Sequence, residues 1–508
     1  MVKRPLGTIG FGWFLSLEAA YFLPLSPLGK GVLAAGSAAV GLLLLLLARR
    51  RALPSALLCL AAAAAVAANA WVCAARVEPV RRLAGQLGET VLEVTEAPRQ
   101  AGGATRFVAR VGSTTAEGAP DFPFLAEVLV WGTVDLQVGD QAVCTARFGL
   151  PDRPAGGWDS LTPRGIYLSA ELLSEEHLLF LGHRDSPAAA LERWRQRLAA
   201  SVRRQLPSQA GELVAAMSWG ERAALSEGVR GDFQTAGVAH LLALSGLHLG
   251  LCAAMGAGLV RLLGDSKRGA VLAGMVLALL YGALVGFSPS ICRAVVLCCY
   301  GAGAFLCRRT VDGPTAMGVC GLVLTLGDPL AVADLRLLLS FGSTCALVLA
   351  LPRVRRAVGE RGPLVTSLCQ TGVVLGCTGP LLALSFGELS LLAFAGNLLC
   401  LPLAGPTVLG GALCGLLGLL PGPWGQALGY PFAVLAGLCA RAMAAAAHLL
   451  ARWDWLVLPL QGPGVWYGLG AACLWGAICL QLPERVHRLR WLAAGAALCT
   501  LGGWLLAG

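Results

Sequence analysis

Charge is what this sequence has least of. Only 13% of its 508 residues are Asp, Glu, Lys or Arg, about half the share found in a soluble globular chain. Lysine is missing altogether from residues 76–235, where 17 Arg stand against 20 Asp and Glu, a net charge of −3. The one long polar region is therefore slightly acidic, which argues against a general nucleic-acid-binding footprint. HExxH, HxHxDH, GxSxG and the P-loop pattern GxxxxGKS/T are all absent. The sequence thus predicts no nuclease, ATPase or hydrolase of its own, and no cofactor. None of the 18 cysteines forms a CxxC pair, so a zinc ribbon or thioredoxin-like site has no support. Most lie inside apolar runs, where cysteine behaves as a small hydrophobe. The alternating ten-residue strands of a membrane β-barrel are also lacking.

What is present is apolar sequence, 56% of residues with a mean hydropathy of +0.70, in recurrent runs of 17–25 residues. Only helices or closed barrels satisfy their backbones in lipid, so the chain is expected to be a polytopic α-helical membrane protein of about 13 spans. Residues 1–75 hold the first three. Lys3 and Arg4 precede a run at 9–23 with no small-residue cleavage site, so it is expected to be a retained helix. Runs at 31–48 and 54–75 flank Arg49-Arg50-Arg51, a cytoplasmic marker. The N-terminus is then cytoplasmic and the region after Ala75 extracytoplasmic.

Residues 76–185 change character. Glu89–Glu96, Arg106–Val111, Phe124–Val130 and Gln141–Phe148 alternate apolar and polar residues, with Gly-rich turns between them. They predict a small extracytoplasmic β-rich domain, plausibly an OB-like barrel. Only Cys73 and Cys144 lie in or beside it, and an extracytoplasmic location would let them pair as a disulfide. Residues 186–236 are expected to form amphipathic interfacial helices. In Leu191–Leu206 the apolar Leu191, Trp194, Leu198 and Val202 alternate with five arginines, which suits anionic headgroups. DNA phosphates are the alternative contact.

Residues 237–508 form the multi-span domain, with spans expected near 238–262, 269–287, 291–307, 313–327, 335–351, 363–386, 389–420, 426–451, 463–482 and 491–507. Four of its five inward loops carry clusters of positive charge. Pro402 and Pro406 are expected to break the span at 389–420, as in helices that line a cavity.

The domain opens with GVAHLLALSGLHLG, Gly237–Gly250. On a helix, His240 and His248 would be about 80° and roughly 12 Å apart, with Ser245 on the flank of His248 and Gly246 admitting a neighbouring backbone. A polar stripe in a spanning helix must face protein or water. It either pairs with neighbouring helices or lines a path. A metal site from these two histidines would need further ligands. Ser288, Ser290 and Arg293 lie within the Pro-containing LVGFSPSICRA, Leu284–Ala294; Asp334, Arg336 and Ser340 cluster at the start of another span; Asn397 stands in the Pro-containing span. Each alone is a helix cap or a snorkelling charge. As a set they predict an outward polar vestibule, where Arg293 suits a phosphate-bearing chain.

These segments resemble the ComEC family of DNA-uptake membrane proteins. AHLLALSGLHLG resembles the family hallmark, and MSWGERAALSEGVRGDFQ (Met217–Gln234) its lead-in. GFSPSICRA (Gly286–Ala294) is similar to a second signature, Asp328-Pro329 with Asp334 through Ser340-Phe341 to a third, and Phe386–Ser390 with Asn397 and Pro402 to a fourth. Gly139-Asp140 and Gly157–Ile166 resemble the extracytoplasmic OB-like domain. The resemblance implies a channel that passes single-stranded DNA across the cytoplasmic membrane of a bacterium during natural transformation. It further implies an extracytoplasmic DNA receptor, a cytoplasmic helicase-type ATPase and membrane lipids as partners; a homodimer is left open. Two departures stand out. The metallo-β-lactamase-like domain of many members has no counterpart here, so nuclease activity is not carried over, and a separate nuclease as partner is left open. The position that often carries Gln before Leu-Ser-Phe is Leu338.

The path is therefore expected to involve His240, Ser245, Gly246, His248, Ser288, Ser290, Arg293, Asp334, Ser340 and Asn397. A secondary transporter for a small anionic solute is the alternative, although the hundred-residue external domain and the lack of internal repeats fit it poorly. A membrane enzyme using the two histidines would lack a nucleophile or metal set.

Overall fold

The computed structural model describes residues 5–22, 27–47, 53–101, 103–151, 159–172, 178–222, 224–264, 266–359 and 362–459. The expected spans at 463–482 and 491–507 lie outside them. The chain divides into two compact units, residues 1–193 with 315–337, and residues 194–314 with 338–508.

The first unit begins with α1 (Pro5–Phe22), α2 (Pro27–Leu47) and α3 (Leu53–Val72). A π-helical turn, Cys73–Val77, carries α3 into the short α4 (Glu78–Arg81), so one apolar helical run extends over Ser55–Arg81. Small residues let α1 approach the 315–337 segment. Gly7 and Gly10 lie directly against Thr315 and Gly318, so close that a side chain at Gly10 would overlap backbone. Close small-residue contacts replace the hydrophobic effect as the packing force between helices in lipid. Beside them Trp13 Nε1 donates to Thr325 Oγ1 at 3.0 Å.

The strands β1 (Leu87–Val94), β2 (Arg99–Ala101), β3 (Ala104–Thr114), β4 (Phe124–Trp131), β5 (Asp140–Gly149), β6 (Ile166–Leu172) and β7 (Leu179–His183) follow. They close into a small barrel in the order β1-β3-β4-β6-β5 and back to β1. All its pairings are antiparallel except β4–β6. β7 extends the sheet beside the start of β5, and β2 forms a hairpin with β3. Alternation fills the barrel: Phe124, Ala126, Val128 and Val130 of β4 face Ala142, Cys144, Ala146 and Phe148 of β5 across one core. The four expected strands all form. β6 was not among them, because IYLSAEL is buried along nearly its whole length beside its parallel neighbour and hardly alternates.

The expected pairing of Cys73 with Cys144 does not form; both are free thiols. The register explains why. Cys144 lies opposite Thr90 and points into the barrel core, whereas Cys73 belongs to the helical run before the barrel. Burial pushes the Cys144 thiol up to about 12.

The second unit continues from α5 (Pro187–Gln205) into α6 (Gln209–Trp219), α7 (Glu227–Thr235), α8 (Gly246–Leu262), α9 (Lys267–Leu284) and α10 (Pro289–Leu306). After α11 (Gly313–Leu326), which leads back into the first unit, α12 (Leu335–Cys345) runs through a π turn into α13 (Leu351–Val358). Then come α14 (Pro363–Phe386), β8 (Glu388–Ser390), α15 (Ala393–Leu417), α16 (Pro423–Ala451) and β9 (Val457–Pro459), which pairs with β8.

Two expectations change here. Only half of the α5 stripe lies bare: Leu198 and Val202 are buried in the core of the unit, whereas Trp194 is exposed. Its arginines are partly neutralised by Arg195–Glu221 and Arg203–Glu212 ion pairs at 2.8 Å, while Arg197 lies over the exposed Trp194 ring. Nor is α15 broken. It runs unbroken through Pro402 and Pro406, held by its packing in the unit, where Cys400, Ala404 and Val408 are buried.

Among the described residues, seven helical runs are long and apolar enough to cross a membrane, and three shorter apolar helices accompany them. The protein is a helical membrane protein with a small β-barrel.

Candidate functional site

The segment 237–250 is not one helix. Gly237 takes φ +69°, a left-handed turn that favours glycine. His240 then lies in a 3-10 turn, Ala239–Leu241, with its side chain exposed, and α8 begins only at Gly246. The expected helical stripe from His240 to His248 is therefore corrected. Leu241–Leu244 continued the apolar run and hid the break, while Ser245-Gly246, a cap followed by a permissive residue, was its only local signal.

Ser245 and His248 instead close a capping box. The Ser245 amide donates to His248 Nδ1 at 3.0 Å, and Ser245 Oγ lies 2.9 Å from the same nitrogen. An Nδ1 that accepts places the proton of the neutral ring on Nε2. His248 fills the place that Glu or Gln usually takes at the third helical position, and it is 1% exposed. Its Nε2 is buried near the Met217 carbonyl but closes no hydrogen bond of ordinary geometry.

Gly246 makes room for an arginine. A Cβ there would lie 3.3 Å from Arg293 Nη2 and 3.5 Å from Ala294 Cβ. Ser288 is the N-cap of α10, Pro289 its first residue, and Ser290 and Arg293 stand on its first turns. The guanidinium thus lies at the N-terminus of α8, where the helix dipole is already positive. Two positive elements side by side favour an anion between or beside them. The structure so brings the hallmark and the second signature into contact through Gly246 and Arg293.

The fourth signature supports the turn before His240. Gln234 Nε2 donates to Glu388 Oε1 at 2.8 Å and Ser390 Oγ to Thr235 O at 2.5 Å. A Cβ on Gly237 would lie 2.7–2.9 Å from Ala393 atoms, and one on Gly396 2.5 Å from Ala236 O. Asn397, one turn further along α15, donates to Thr371 Oγ1 of α14 at 3.3 Å; no hydrogen bond joins it to His248 or Arg293. The lead-in MSWG forms the packing centre: Tyr281 OH donates to Ser218 O at 2.9 Å, and the Trp219 and Tyr281 rings lie 6.4 Å apart. Tyr281, Thr371 and Glu388 escaped the sequence analysis as partners. A polar tip inside an apolar run was the only sign of the first two.

The third signature is local capping. Asp328 Oδ1 accepts from Leu330 N at 3.0 Å, and burial pushes its carboxyl above the usual range while that amide pulls it back. Asp334 Oδ1 accepts from Arg336 N at 2.8 Å, and Oδ2 pairs with Arg336 Nη2 at 2.7 Å. These residues belong to the first unit and Ser340 to the second. The Ser340 carbonyl accepts the hydroxyls of Ser343 and Thr344. Leu338 is buried, as suits its apolar side chain.

Residues 217–485, just over half the chain, match the Competence protein family. The chain belongs to that family. The hallmark, its lead-in, Arg293 and Asn397 all fall inside the matched region. ComE operon protein 3 of Bacillus subtilis is 28% identical over 215 residues, 42% of this chain and 27% of that protein. Competence protein ComA of Neisseria gonorrhoeae is 35% identical over 170 residues, 31% of this chain and 24% of its own length. The Escherichia coli protein YcaI, described as uncharacterized, is 28% identical over 208 residues, 38% of this chain and 27% of that protein. The chain thus spans about a quarter of the length of the curated relatives it matches. No solved structure matches.

Proposed function

We propose that this protein is the membrane conduit through which one DNA strand enters the cytoplasm during transformation. The observation that carries the proposal is the contact of Arg293 with Gly246 at the capped start of α8, inside the region that matches the competence family. A single strand carries one negative charge per nucleotide. A path through apolar helices therefore needs fixed positive groups that do not bind it tightly enough to stop it. A guanidinium beside a helix N-terminus is such a group. His248 holds that N-terminus in shape through Ser245, and His240 stands on the preceding turn.

The remaining elements follow. The chain conducts and does no chemistry, so the driving force comes from a cytoplasmic helicase-type ATPase. A receptor delivers DNA outside. The barrel faces outward from the cytoplasmic membrane and the N-terminus inward, as Arg49–Arg51 suggests. The strand order β1-β3-β4-β6-β5, with β4 parallel to β6, supports reading the barrel as OB-like, which suits a first contact with the strand.

Nuclease-protected internalisation of labelled duplex DNA tests this in four strains at matched expression: intact, deleted, His248→Ala and His248→Gln. Deletion should abolish uptake. His248→Ala should lower it strongly, and His248→Gln should restore most of it, since Gln at the third helical position also closes a capping box. Failure of Gln to rescue would assign His248 a role beyond capping. Normal uptake in a competent deletion strain would sink the conduit and favour the anionic-solute transporter.

A further inference from the structure

A second charged recess lies in the first unit, far along the chain from the hallmark. Tyr21 and Phe22 end α1, Lys30 stands in the first turn of α2, and Cys73 and Arg81 close the helical run that began as α3; with Leu330 they line a cavity of about 320 Å³. These helix ends meet at one end of the bundle, because Lys30 Nζ reaches Asn69 Oδ1 of α3 at 3.0 Å. The polar barrel starts six residues after Arg81. The recess therefore lies where apolar helices give way to polar structure, the depth of headgroups, and aromatic residues at its rim fit that depth.

Its charges are unbalanced. Lys30 is one of only three lysines in the chain, with Lys3 and Lys267, and Asn69 takes one of its three donors. Arg81 Nη2 donates to Thr162 Oγ1 at 2.8 Å, and its Nε is buried without a hydrogen-bond partner among the described residues. Asp159 is the one carboxylate on the wall among the described residues; its Oδ1 accepts the Leu161 and Thr162 amides, and its Oδ2 stands 3.8 Å from Arg81 Nη2. Among the described residues, two cations with spare donors face one carboxylate. The other wall, from Tyr21, Phe22, Val77 and Leu330, is apolar.

We propose that this recess binds the phosphate headgroup of an anionic phospholipid, with Lys30 and Arg81 on the phosphate and the glycerol end of the lipid against Tyr21 and Leu330. The volume is at the low end for small-molecule sites and suits a headgroup. The apolar wall favours a lipid over a bare phosphate or a DNA backbone, which would leave it wet. The bound lipid would fix the first three helices against the base of the barrel.

Cys73 is a free, half-buried thiol on the wall, so its alkylation reports occupancy. The full-length chain, purified in a neutral detergent, would be treated with N-ethylmaleimide while site-resolved mass spectrometry follows Cys73. Short-chain phosphatidylglycerol should slow Cys73 alkylation, and phosphatidylcholine should not. The exposed Cys307 should react at the same rate throughout. In Lys30→Gln the phosphatidylglycerol needed for half-protection should rise about tenfold, the loss expected for one charge-assisted hydrogen bond. Equal protection by phosphatidylcholine overturns the proposal, as does an unchanged requirement in Lys30→Gln. Protection by inorganic phosphate or a single-stranded oligonucleotide, but not by phosphatidylglycerol, would leave a phosphate site and remove the lipid. If Cys73 resists alkylation even without ligand, native mass spectrometry decides. The wild type should then retain one more phosphatidylglycerol than Lys30→Gln, and equal retention overturns the proposal.

Discussion

Gly237→Ala and Gly250→Ala should separate sharply, although both glycines bound the same hallmark. At Gly237 the backbone is left-handed, with φ +69°. An alanine held there costs about 1–2 kcal/mol. Its methyl would also lie 2.7 Å from Ala393 Cβ, 2.8 Å from Ala393 Cα and 2.9 Å from Ala393 N. Nonbonded carbons prefer about 3.5–4.0 Å. Two of those three atoms are helix backbone and cannot rotate aside, so the loop must move. Overpacking of this kind costs about 1–3 kcal/mol. The sum is roughly 2–5 kcal/mol, concentrated on the turn that carries His240. At Gly250, inside α8, nothing lies within 4 Å of an added Cβ, and alanine should be neutral or stabilise by about 0.5–1 kcal/mol. Tryptophan-fluorescence melting of the detergent-purified variants, run beside the uptake assay at matched membrane levels, measures both. Gly237→Ala should melt several degrees below wild type and lose uptake, while Gly250→Ala keeps both. Equal melting of the two variants would falsify the packing of the 236–238 loop on α15.

Two further outcomes follow from the first unit. Burial holds the Cys144 thiol at about 12, so at pH 7–8 it stays protonated and enclosed. It should resist maleimide in the native protein, react fully in denaturant, and give the same peptide map with and without reductant; a Cys73–Cys144 crosslinked peptide would contradict the register of β1 and β5. Asp334→Ala removes both the cap on Arg336 N and the ion pair and should cost about 1–2 kcal/mol. Asp334→Asn keeps an equally good cap and should cost less than about 1 kcal/mol, since Arg336 is 53% exposed and solvent screens the pair. Melting curves of the two variants should therefore differ, and identical curves would refute the capping role.

Much of the fold was legible along the chain. Hydropathy placed α9, α10, α14 and α16 within a few residues of where they form, and alternation placed β1, β3, β4 and β5. Both signals are local. A lipid-spanning helix must be apolar over its own length, and a barrel strand must alternate over its own length. The errors share a cause as well. β6, Pro402 with Pro406, the stripe of α5 and the start of α8 each depend on a neighbour that local pattern does not name.

Composition and local period alone already gave a helical membrane protein with a small β-domain. They also marked the hallmark segment through residue types that an apolar run has no reason to carry. What those residues touch was set by packing in three dimensions. His248 became a cap instead of part of a stripe, Gly246 a seat for Arg293, and Gly237 a contact with α15 156 residues away. Lys30 and Arg81 came to line one recess, and Cys144 was enclosed in the barrel core. The reason is geometric. Solvation acts on each residue where it stands and is written in composition and period, whereas a hydrogen bond, a cap or a close approach of glycine needs two groups within a few ångströms, a distance that only folding sets.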